Sequence, residues 1–202
     1  MPKEDNPIST CLLDWDNLYR LIPSHFPPID LFENVADPDD LDIIFAIDAM
    51  TNNRLQDEVG ALNLVSKKDR ISGVGSSPVM AAFTHIGVES RFTNGKLYGI
   101  YYGAKSLETA FAETIYHREK FLKATNEHDT ELTMRCYINK VALELHDIRG
   151  EEFNYCHTDD YAKPQELAAS LRKKGSNGLV YNSVRNSGGE CVAVFKPKGV
   201  TI

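Results

Sequence analysis

The stretch from Ser106 to Leu122 constrains this fold more than any other part of the chain. Ser106 is a good N-cap, because its hydroxyl can accept from a free N–H of a first helical turn. Leu107, Ala110, Phe111, Ile115 and Leu122 then recur at helical spacing. The pattern predicts a helix that buries this stripe, with Glu113 and His117 side by side on one flank, bordering the core. Such a helix needs a surface to lie on, and strand-like segments flank it. Leu97 to Gly103 is aromatic-rich, although Gly99 weakens it, and strand signals return from Thr133 to Leu145.

The other segments fit around that centre. Leu18 to Ile22 reads as a short strand, ended by Pro23, Pro27 and Pro28. The acidic run Asp37 to Asp42 leads into Ile43 to Ile47, read as a helix reaching about Leu55, with carboxylates in its favoured first turn. A calcium loop would need different ligand spacing and a glycine. Ile71 to Ser77 is a loop whose glycines do not match a dinucleotide fingerprint. Pro78 sits where a helix to His85 can begin. A helix from Pro164 to Lys174 is ended by Gly175 and Gly178, and strands Leu179 to Asn182 and Cys191 to Phe195 flank a turn at Asn186 to Gly189. The sum is one α+β domain, with largely antiparallel mixed sheets and flanking helices.

Composition narrows the function classes. The 202 residues suit one cored domain, and 42% hydrophobic with 25% charged content is ordinary for a globular protein. A net charge of −7 disfavours direct nucleic-acid binding, and the short basic runs at Lys67–Arg70 and Arg172–Lys174 read as solvated helix ends. Cys11, Cys136, Cys156 and Cys191 show neither zinc spacing nor a disulfide framework, and the histidines show no ligand-like grouping, so no metal is expected. The N-terminus lacks a signal-peptide core and no apolar run approaches the ~18 residues of a membrane helix. A reducing cytoplasm and no membrane are expected.

Read from the residues alone, three positions stand out. Arg20 ends a short apolar strand, Glu113 lies on a helix flank after a tyrosine-rich strand, and Ser183 closes Tyr181-Asn182-Ser183-Val184-Arg185. A salt-bridge arginine, a surface Glu–His pair and a turn serine are the plainer readings of each. The combined pattern is more specific. Leu18-Tyr19-Arg20-Leu21, Ser90-Arg91-Phe92-Thr93-Asn94-Gly95, Gly99-Ile100-Tyr101-Tyr102-Gly103, the run Ser106 to His117, Gly178 to Arg185 and Cys191 to Pro197 together resemble the RES-domain family. The resemblance spans about Asp14 to Pro197. It divides the chain into a tail, 1–13, and a RES domain, 14–202, with a helical insert at about 37–90 relative to compact members.

The resemblance implies a fold similar to ADP-ribosyltransferase toxins and cleavage of NAD at its nicotinamide–ribose bond. NAD is then a substrate, and no true cofactor is implied. Glu113 would stabilise the developing positive charge. Arg20 is the first candidate for gripping the pyrophosphate and Arg91 the second, while Tyr102 would wall the nicotinamide. Ser183 would position the ribose or amide, and Tyr19, Asn182 and His117 would line the site. Family members are typically bacterial toxins held by an Xre-like helix-turn-helix antitoxin, and a homodimer is compatible with the resemblance. Water, phosphate or a target molecule could accept the ADP-ribose. The rivals are a mono-ADP-ribosyltransferase, a ribonuclease using His117 or His146, and a non-catalytic interaction protein.

Overall fold

A computed structural model describes residues 8–24, 32–33, 37–49, 60–125, 128 and 130–202. The prolines at 27 and 28, and the reach of the second predicted helix to Leu55, lie outside the described residues.

Two long strands, β1 (Thr10–Pro23) and β3 (Met134–Asp147), pair antiparallel from Thr10 opposite His146 to Pro23 opposite Met134. β1 is thus longer than Leu18 to Ile22 and begins inside the segment read as a tail. Its early half hides because a bulge between Trp15 and Leu18 breaks the alternation. Leu13, Trp15 and Leu18 are buried, whereas Leu12, Asp14 and Asp16 face out. Strands β2 (Tyr101–Ala104), β5 (Glu190–Val194) and β4 (Gly178–Asn182) complete a closed barrel in the order β1-β2-β5-β4-β3. Every pairing is antiparallel except β3 with β4.

Alternate residues along these strands feed two separate cores. Val180, Val192, Val194, Leu18 and Tyr101 pack with Leu41 of helix α1 (Leu41–Ala49) and with Val79, Met80 and Phe83 of α2 (Ser76–Thr84). Leu179, Tyr181, Cys191 and Ala193 face the other way, toward Phe92, Ile148 and Cys156. That second core takes Ala110 from α3 (Leu107–Thr125) and Ala168 and Leu171 from α4 (Ala162–Lys173).

Helix α3 begins as predicted. The Ser106 hydroxyl accepts from the Thr109 N–H at 3.2 Å, and its carbonyl accepts from Ala110 at 3.0 Å. The predicted inward stripe is corrected, because Leu107, Phe111 and Ile115 are 36%, 45% and 54% exposed. Of the predicted stripe Ala110 alone is fully buried, and Thr109 is buried beside it. The reason is polar. Thr109 accepts from the Asn186 amide at 2.8 Å, and Glu113 from Ser183 at 2.6 Å, so hydrogen bonds turn that side toward the loop after β4.

Candidate active site

The loop after β4 is built to hold a carboxylate. Ser183, one residue beyond the strand, donates its N–H to the Gly189 carbonyl at 2.8 Å, and Gly189 donates to Asn186 at 2.9 Å. Gly189 is required where the loop presses on α3, since a Cβ there would stand 2.5 Å from Thr109 Oγ1. The Ser183 hydroxyl accepts the N–H groups of Arg185 and Asn186 at 3.2 and 3.0 Å and donates to Glu113 Oε1 at 2.6 Å. The Val184 N–H adds a second bond to the same oxygen at 3.1 Å. With its proton and both lone pairs occupied, Ser183 orients Glu113 and is poorly placed to be a nucleophile. Oε2 of Glu113 takes no hydrogen bond among the described residues, so one oxygen is held and the other is free.

Cations gather on the same side. Arg91 is only 6% exposed, and its Nη1 donates to the carbonyls of Cys156 and Thr158 at 2.7 and 2.6 Å. Its guanidinium lies 5.3 Å from the centre of the Tyr161 ring, and Lys120 lies 5.9 Å from the same ring. Arg185 stacks on Tyr116 at 3.3 Å and pairs with Asp159, which holds the Asp159 carboxyl below the usual range. Glu113 and Arg91 both perturb Tyr181, Cys191 and His117, which places them around one locality. Burial pushes the Tyr181 phenol and the Cys191 thiol far up, and Cys156 up to about 11, so none of them supplies an anion near neutral pH.

His117 and His157 are both held below the ordinary histidine value. Desolvation is the main cause for His117; Glu113 opposes it, and Arg185, Arg91 and Lys120 reinforce it. Desolvation and then Arg91 act on His157. Three buried polar atoms here, His157 Nε2, Tyr161 Oη and Arg185 Nε, have no partner among the described residues. A buried donor without a partner is costly and needs an explanation.

The remaining predicted residues lie elsewhere or are otherwise engaged. Arg20 follows Leu18 on the first core's side, with its guanidinium 4.6 Å from the Tyr101 ring centre. It donates to the Tyr102 carbonyl at 2.9 Å, its Nε is buried without a partner among the described residues, and burial pulls its pKa down. Tyr102 spends its hydroxyl on Ser90 at 2.8 Å and on the Phe92 N–H at 3.1 Å, and stacks on Phe92 with centroids 6.4 Å apart. Tyr19 is partly buried against the second core. Asn182 donates to the Arg149 carbonyl at 2.8 Å. Sequence reasoning missed Arg185, Lys120, His157 and Tyr161. Arg185 had a local signal, two residues after Ser183, whereas the other three meet the site only through folding.

Residues 69–202 match the RES domain, a span that includes Arg91, Glu113 and Ser183 and leaves Arg20 outside. The chain belongs to the RES domain family. It is 27% identical over 184 residues to an uncharacterized protein, y4oC, of Sinorhizobium fredii, a match covering 90% of this chain and 76% of that protein. Among solved structures, this RES protein is similar in fold to a chain of the M. tuberculosis MbcT–MbcA toxin–antitoxin complex. The TM-score is 0.51 at 13% identity, covering 95% of this chain and 82% of the other. Among the described residues no helix is long and apolar enough to cross a membrane, and no group of three or more side chains could hold a metal ion.

Proposed function

We propose that this RES protein is an enzyme that cleaves NAD at the nicotinamide–ribose bond. The observation that carries the reading is the half-held Glu113 carboxylate, facing a locality with three cations, Arg91, Lys120 and Arg185. NAD has matching polarity, with an anionic diphosphate next to a ribose that becomes cationic in the reaction. The C1′–N bond breaks with its electron pair going to the nicotinamide, which leaves neutral and needs no acid. An acceptor oxygen then bonds to C1′; if it is water, it loses a proton and ADP-ribose forms. One carboxylate suffices where glycosidases need two, because no leaving oxygen must be protonated.

In this reading Oε2 of Glu113 faces the ribose and stabilises positive charge as it develops, while Ser183 and Val184 keep the carboxylate oriented. Arg91 grips the diphosphate with its remaining N–H groups, and His157 and Tyr161 supply their unpaired donors. Tyr102 contributes a wall through its ring, and His117 borders the ribose end. Arg20 supports β2 from the opposite core. The family and the fold relation support a further step: the protein acts in the cytoplasm as a toxin that depletes NAD and is neutralised by a helix-turn-helix antitoxin.

The test is NAD loss by purified, folded protein, with and without phosphate, with products separated by chromatography. Wild type should release nicotinamide, and Glu113→Gln should do so on the order of a hundred- to a thousandfold more slowly. ADP-ribose as the other product names water as the acceptor, and its phosphorylated form names phosphate. Full activity in Glu113→Gln would sink the proposal. Nicotinamide release only alongside a labelled protein would convert the reading to a mono-ADP-ribosyltransferase.

A further inference from the structure

A cavity of about 400 Å³ opens at the end of β5 where Val194 pairs with Tyr101. The Ser183–Gly189 loop lies at the other end of that strand, so about 13 Å of sheet separates the two places. Phe83 of α2, Tyr98, Phe195 and Pro197 form apolar walls. Leu64 and Val65 add to them from outside the residues that match the family.

Three charged side chains border the cavity, Asp69, Arg172 and Lys196, and none is in an ion pair among the described residues. Lys196 Nζ donates to the Gly175 carbonyl at 2.7 Å and to Asn177 Oδ1 at 3.1 Å, both neutral acceptors. The Arg172 guanidinium lies 4.6 Å from the centre of the Tyr98 ring. Asp69 ends the turn Lys67–Asp69, where its N–H donates to the Ser66 carbonyl at 2.8 Å. Opposite charges around one opening gain by pairing when their side chains can meet. Here each is fastened to a neutral partner or to its own turn, so both signs stay available to a bound molecule.

We infer that this cavity binds a free amino acid with an aromatic side chain. Its carboxylate goes to Arg172 and Lys196, its ammonium group to Asp69, and its ring to the walls at Phe83, Tyr98, Phe195 and Pro197. Sign and size select this class. An anion lacking the amine would bring its charge to Asp69, and a cation lacking the carboxylate would meet two like charges. A zwitterion satisfies both. Ligand pockets run from about 300 to 1,000 Å³, so this one suits a single ring and not a dinucleotide.

Calorimetry on the full chain tests this with L-phenylalanine as the probe. L-Phenylalanine should bind saturably with a Kd below about 10 mM. Phenylpropanoate, which lacks the amine, and phenethylamine, which lacks the carboxylate, should each bind about tenfold more weakly or worse. Asp69→Asn should weaken the amino acid about tenfold and leave phenylpropanoate no weaker. Arg172→Gln should weaken it too, but leave phenethylamine no weaker. Arg172 is exposed and Asp69 half-buried, so both variants should keep the wild-type Tm. Glu113→Gln should leave the Kd unchanged. No saturable binding of L-phenylalanine below about 10 mM would overturn the inference, as would binding indifferent to Asp69→Asn and Arg172→Gln. Phenylpropanoate binding as tightly as the amino acid would make this an anion site instead. Loss of binding in Glu113→Gln would move the amino acid to the first site, and either result ends the proposal.

Discussion

Arg20 and Arg91 are both largely withdrawn from solvent and both lie over tyrosine rings, yet they answer to opposite sides of one sheet. Arg20 shares its side with Leu18 and Tyr101, and its guanidinium donates to a carbonyl of the neighbouring strand. Arg91 is fastened by the carbonyls of Cys156 and Thr158 and is felt by the same groups that feel Glu113. The difference teaches that charge and burial alone do not single out which arginine would meet a ligand. What separates the two is the company: Glu113, Lys120 and Arg185 gather on the side of Arg91, Leu18 and Tyr101 on that of Arg20.

The comparison can be broken by mutation, and the largest effect should come from Arg91. Arg91→Ala should weaken ADP-ribose binding, measured by calorimetry, by about 2–5 kcal/mol, the usual result of removing one partner of a buried charged contact. Arg91→Lys, which keeps the charge but loses the fork, should still raise KM for NAD more than Arg20→Lys does. The reverse order would move the diphosphate to Arg20. Next, Arg20→Met should cost about 1–3 kcal/mol of stability, seen as a fall of several degrees in Tm, with KM unchanged within about twofold.

A smaller effect isolates the loop that holds Glu113. Gly189→Ala forces a methyl group against Thr109 and should lower kcat about tenfold while sparing KM, because the loop can no longer seat Ser183 under the carboxylate. Unchanged kcat would mean that Ser183 and Glu113 do not need this clamp. The smallest effect is in pH. His117, His146 and His157 all have folded pKa values below their unfolded ones, so the unfolded chain takes up protons first as pH falls. Their contribution to stability is complete above about pH 6.5 and is lost below it. Tm should therefore fall between about pH 7 and 5, and less steeply in His157→Asn. An equal slope in that variant would remove His157 from the account.

Local signals carried much of the fold. Ser106 announced the start of α3, and glycines marked the end of α4. What was not legible depends on distant partners. The early half of β1 is specified by β3, more than a hundred residues away, and its bulge removes the period that would reveal it. The orientation of α3 was misread because apolar spacing says which residues share a side, not which side faces inward; two hydrogen bonds from the Ser183–Gly189 loop decide that. Within the site, Glu113 and Ser183 stood in segments resembling a known family. His157 and Tyr161 stood in no motif, and only the fold carries them to Arg91.

The order of segments along the chain has a consequence for synthesis. Glu113 lies on α3, but the serine that orients it and the strand that closes the barrel, β5, are translated only after that helix. At about 5–20 residues per second, on the order of ten seconds separate β1 from its partner β3, and several more pass before β5 follows. A growing chain thus carries Glu113 without its orienting loop. If the proposed reaction is the one this site performs, a chain that has not yet made β5 is poorly equipped for it, and competence arrives with that strand.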